Sequence, residues 1–98
     1  MSQLDQVRGH MDVVQVLDTI ISVLEDRKAN DTNNSNITET NKEIVNTLRQ
    51  WSGERTTFES AGPRNTFFET DFGMLKSSMT TYDDTIFYIG ILKGRATR

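Results

Sequence analysis

The chain has 98 residues, a formal net charge of -3, 35% hydrophobic and 26% charged residues, and no cysteine. That is one domain's worth of chain with a thin internal core, the kind that oligomerisation often supplements. The missing cysteines exclude a disulfide scaffold and a thiolate metal site. The acidic balance argues against a general nucleic-acid binder.

The acidic excess lies in residues 1–50, and the last six residues, Lys-Gly-Arg-Ala-Thr-Arg, form a small basic tail (93–98). The first dozen residues are polar and carry no apolar core of a signal peptide. Neither the interrupted run 13–24 nor Ile86–Leu92 reaches the roughly 20 apolar residues of a membrane span. A cytoplasmic or otherwise intracellular protein, away from the membrane, is therefore expected.

A first helix is predicted over Ser2–Lys28, with Ser2 as its cap and its firm part beginning near His10 or Met11, beyond Gly9. Its core stretch carries two adjacent apolar seams at 3–4 spacing. One is Val13, Val16, Ile20 and Val23; the other is Val14, Leu17, Ile21 and Leu24. Two seams side by side make a face too wide for one neighbour. A single helix pair does not easily cover it, so it is expected to meet a second copy or a protein partner through Val13, Val16, Leu17, Ile20, Ile21 and Leu24.

Residues 29–37 are rich in Asn, Asp and Ser, which bond their own backbone and favour turns. They read as a mobile, solvated loop, and the glycosylation sequons at Asn30, Asn33 and Asn36 read as ordinary loop composition. A second helix follows from Thr38 to Trp51, with Ile44, Val45, Leu48 and Trp51 on one face and Ser52-Gly53 as its end. Trp51 anchors this helix in the expected interface. The helical part thus covers residues 1–52.

The second half reads as β-rich (53–94). Arg55–Ser60 and Asn65–Thr70 flank Ala61-Gly62-Pro63-Arg64 and suggest a β-hairpin. Phe67 and Phe68 are adjacent, so on a strand one of them points outward as a contact residue. Thr85–Leu92 is a near-continuous apolar run that suits a buried strand. A competing pattern runs through the same stretch: Phe72, Leu75, Met79, Tyr82, Ile86 and Ile89 keep helical 3–4 spacing, against Gly73, Gly90 and the β-favouring Thr80-Thr81-Tyr82. The balance favours a short helix over Phe72–Thr80 and then a strand.

The expected fold is a single α+β domain over residues 1–98, an N-terminal helical hairpin packed on a small antiparallel β-sheet. The alternative is mainly α, with three helices and one β-hairpin.

Chemistry-bearing residues are sparse. His10 is the only histidine and has no partner in the sequence for base or metal work. Glu69-Thr70-Asp71 and Asp83-Asp84 could meet a divalent cation, but neither has the spacing of a calcium loop; Asp71 reads as a helix cap, and Asp83-Asp84 as a turn. No nucleophile elbow or phosphate loop is present. No catalytic residue, cofactor or metal is assigned, and the chain is expected to be no enzyme. The favoured function is a non-enzymatic interaction and oligomerisation module with the first helix as its interface. One alternative is a nucleic-acid binder, using the aromatic residues of the second half on a sheet beside the basic tail. The other is a small enzyme or ligand-binding domain, which a pocket lined by Asp71, Tyr82 or Asp83 would support.

Overall fold

The computed structural model describes residues 3–9, 12–56 and 69–97. A 3-10 helix, Gln3–Gly9, precedes four α-helices: α1 Val13–Asn30, α2 Ile37–Thr56, α3 Glu69–Ser77 and α4 Tyr82–Ala96. Among the described residues there is no strand, so the chain is mainly α and the α+β reading is overturned.

The first predicted helix begins later than Ser2. Gln3–Gly9 is a 3-10 turn whose Leu4 and Val7 are buried against α1 and α2. α1 proper is capped by Asp12, whose side chain accepts from the Val14 N–H at 3.3 Å. At its other end Arg27 and Lys28 sit in the last turn, where positive charge suits the exposed carbonyls.

The Asn-rich connection, Asp31–Asn36, has a framework of its own. The Asp31 carboxylate accepts from the Ser35 N–H (3.1 Å) and the Asn36 N–H (2.8 Å). Asn34 holds φ 56°, the left-handed region that asparagine tolerates better than most residues. Its Oδ1 accepts from the backbone N–H of Tyr82, 2.9 Å away at the first position of α4. A loop read as free solvated chain thus satisfies a donor at the start of a helix far along the sequence.

α2 runs past the predicted stop at Ser52-Gly53 to Thr56. Its Ile44, Val45, Leu48 and Trp51 are all buried. Arg55–Thr56 of the expected hairpin lies in α2 and Glu69–Thr70 opens α3; the rest of that expectation, with Phe58, Phe67 and Phe68, lies outside the described residues. α3 packs on α2, where Arg49 reaches Glu69 (2.9 Å) and lies over the Phe72 ring at 4.8 Å.

The predicted strand Thr85–Leu92 is the middle of α4. Thr81 caps this helix, its hydroxyl accepting from the Asp84 N–H at 3.0 Å. Asp83 and Asp84 occupy the first turn, with Lys93 and Arg95 in the last, so both ends complement the helix dipole. Tyr82, Thr85, Ile89, Leu92 and Ala96 are buried at 3–4 spacing. The hydroxyl of Thr85 shares its proton between the Thr81 carbonyl (3.0 Å) and Asn41 Oδ1 (3.2 Å), which removes the cost of burying it. The heptad spacing is therefore the pattern the chain follows, in two helices interrupted at Ser78–Thr81 rather than in one.

α4 lies antiparallel to α1. Lys28 pairs with Asp83 at 2.5 Å and Asp18 with Lys93 at 2.6 Å, so later residues of one helix meet earlier residues of the other. Asn41 of α2 donates to the Met79 carbonyl at 2.9 Å and fixes the α3–α4 corner. One continuous core results, with Trp51, Tyr82, Leu17, Ile20 and Leu24 among its largest fully buried side chains.

Candidate functional site

Three places merit comparison: the seams of α1, the polar groups around Tyr82 and Asp71, and the outer face of α4.

The seams are already occupied. Val13, Val16, Leu17, Ile20 and Leu24 are buried within one chain, and Ile21 is half-buried against the same core. α4 and the N-terminal 3-10 helix both pack on α1, and of the second seam Leu17 and Leu24 are buried while Val14 and Ile21 are half-buried against the core. Trp51 is likewise wholly internal. These residues offer little surface to a second molecule. Phe67, Phe68 and His10 lie outside the described residues.

A polar hollow of about 340 Å³ opens between the end of α1 and the start of α2, lined by Arg27, Asp31, Glu39, Thr40, Glu43 and Tyr82 among others. The Tyr82 hydroxyl donates to Asp31 at 3.0 Å. Arg27 donates to Thr40 Oγ1 (3.2 Å) and to Glu43 (2.9 Å). Hydrogen bonds, that from the Asn36 N–H above all, hold the Asp31 carboxyl below its usual range. Burial, against the opposing hydrogen bond with Thr40 and aided by the bond to Asp31, pushes the Tyr82 hydroxyl up. At neutral pH this is a carboxylate and a protonated phenol bonded to each other. The arrangement joins the Asp31–Asn36 loop to α4, and its charged groups are engaged with their neighbours.

Asp71 is no helix cap. It is buried in the first turn of α3, where it accepts from the Tyr88 hydroxyl (2.7 Å) and from both terminal nitrogens of Arg95 (3.3 and 3.0 Å). Burial and the bond to Asp71 push the Tyr88 hydroxyl up to about 12. A two-pronged Arg–carboxylate pair with a tyrosine on the same carboxylate fixes α3 against α4. Asp83 and Asp84 lie in the first turn of α4 rather than in a turn before a strand. Among the described residues, no three metal-ligating side chains come together. No described helix is long and apolar enough to cross a membrane.

The outer face of α4 is different. Phe87 is 73% exposed and Ile91 45%, the two large apolar side chains that stand out from the described surface. At 3.6 residues per turn, Asp83, Phe87, Gly90, Ile91 and Gly94 form one stripe about 100° wide, opposite the buried row. Neither Gly90 nor Gly94 has a positive φ, and a Cβ at either would meet no atom within 4 Å. Nothing among the described residues requires these glycines, although glycine is poor in a helix interior. The sequence hides this face because Phe87, Gly90 and Ile91 leave its middle without a polar residue. Added to the buried row, it turns a periodic helix into a continuous apolar run that resembles a strand.

No protein-family model matches the chain, and neither the curated proteins nor the solved structures give a match.

Proposed function

We propose that the chain is a protein-contact module whose contact surface is the outer face of α4. The observation carrying this reading is the pair Phe87 and Ile91, held out from a helix whose other side is fully used by the core. A side chain as large as Phe87 gains about 1.5–3 kcal/mol when fully buried, and the fold leaves most of that gain unrealised. Large aromatic side chains are enriched at the centres of interfaces.

This reading puts the interface on the last helix instead of the first, where the doubled 3–4 seam suggested it. The nucleic-acid alternative relied on an aromatic sheet, and the described residues form no sheet, with Phe72 and Tyr82 buried. The enzyme alternative asked for a pocket at Asp71, Tyr82 or Asp83. The hollow at Tyr82 is lined by groups already bonded to one another.

A photo-crosslinking phenylalanine analogue at Phe87, in cells making the chain, tests the reading. The control is the same analogue at the exposed Glu25 or Gln50. Protein adducts formed at position 87 and not at the control positions are expected. Equal yields at all three, or none at position 87, would overturn it.

A further inference from the structure

We infer that the occupant of this face is a second copy of the chain, with α4 packed antiparallel on the α4 of its partner about a two-fold axis between Gly90 and Ile91. The inference rests on the reading of α4 as the contact surface and adds to it the occupant and the register.

The stripe is complementary to itself. In an antiparallel pair centred between residues 90 and 91, each residue faces the one whose number completes 181. Phe87 then faces the partner's Gly94, and Gly90 faces the partner's Ile91. Both large side chains meet a glycine, and both glycines receive a large side chain. The open space around Gly90 and Gly94 is what lets the opposing backbone and ring approach closely. The glycines, which no contact among the described residues explains, acquire a role in two chains.

The helix dipoles select the same orientation. Asp83, Lys93 and Arg95 are already paired within the chain, with Lys28, Asp18 and Asp71, so the choice falls to the helix axes and the stripe. Antiparallel packing opposes the two helix dipoles. Parallel packing does the reverse: Phe87 meets Phe87, glycine meets glycine, and like helix ends lie together. A two-fold axis also requires one patch to serve both subunits, which this stripe does.

The seam is short. Fifteen residues of helix span about 22 Å, and two exposed apolar side chains per chain make a small patch, of the kind found in transient rather than obligate complexes. The association is accordingly weak and concentration-dependent.

Sedimentation equilibrium of the full chain from about 5 µM to 1 mM reads this directly. The apparent mass is expected to rise from 11.2 kDa to twice that value. Gly94→Leu fills the space meant for the partner's Phe87 and should leave a monomer across the range, with helical circular dichroism kept. Register is read by cysteine pairing, which the cysteine-free sequence makes clean. Under mild oxidation, a mixture of the Phe87→Cys and Gly94→Cys chains should form the mixed disulfide in preference to either self-disulfide. A wild-type chain that stays monomeric at 1 mM would overturn the inference. So would a Gly94→Leu chain that dimerises as wild type does, or a Phe87→Cys chain that pairs mainly with itself. Crosslinks from position 87 to other proteins, together with a monomeric chain, would sink the dimer while leaving the contact reading standing.

Discussion

α1 and α4 lie side by side and use their surfaces in opposite ways. α1 looks from its sequence like an interface, with two apolar seams, yet the chain buries one and half of the other, with Val14 and Ile21 half-buried. α4 looks like a buried strand, yet only one side of it is buried, and its other side carries Phe87 and Ile91 into solvent. An apolar seam shows that something must cover it, not whether the cover comes from the same chain. Here α4 arrives from the far end of the described residues and supplies that cover.

The comparison is broken most severely by one truncation on each helix. Leu17→Ala in α1 removes a fully buried side chain and should cost about 2–5 kcal/mol in urea unfolding. Phe87→Ala in α4 should change the stability of the monomer by no more than about 0.5 kcal/mol. Measured at low micromolar concentration, a large loss for Phe87→Ala would mean that its ring is internal to the fold.

A smaller effect tests how α4 is held. Asp71→Asn removes the charge that Arg95 and Tyr88 share and should destabilise by about 1.5–3 kcal/mol. The accompanying pH signature has a definite sign. The Tyr88 hydroxyl titrates higher in the folded chain than its ordinary value of 10, at about 12. Its contribution is therefore complete below pH 10 and is lost as pH rises from 10 to 12. Ultraviolet titration of the phenol should show the Asp71→Asn chain moving back toward 10.

The smallest effect runs in the other direction. Gly90→Ala replaces a helical glycine in open space and should stabilise the monomer by about 0.4–1 kcal/mol. A thermal melt at low concentration checks it. A destabilised variant would show that the helix needs glycine there for reasons internal to the chain.

Much of the first half is legible in the sequence. Both apolar rows and the Asn-rich turn lie where composition puts them, because a polar outer face leaves the helical period visible. The start of α1 was misplaced because Gly9 is tolerated by a 3-10 turn, and Asp12, close behind it, supplies the true cap. α4 was misread because its period is masked: Ile86, Phe87 and Ile91 fill positions that a solvated helix gives to polar residues. Its end signals were nonetheless present, in Thr81, the Asp pair, Lys93 and Arg95. The Asp71–Tyr88–Arg95 group lay beyond reach for another reason. Its members are far apart in sequence, and only the α3–α4 corner brings them together.

The pairing of α1 with α4 also sets an order of events during synthesis. α1 is complete by residue 30, while α4, which packs against it, begins at residue 82. About fifty residues separate them, several seconds of translation at roughly 5–20 residues per second. Through that interval the nascent chain displays an apolar face that the finished protein hides. The bonds from Asn34 and Asp31 to Tyr82 can form only once α4 has been made, so the Asp31–Asn36 loop is completed by the last helix of the chain.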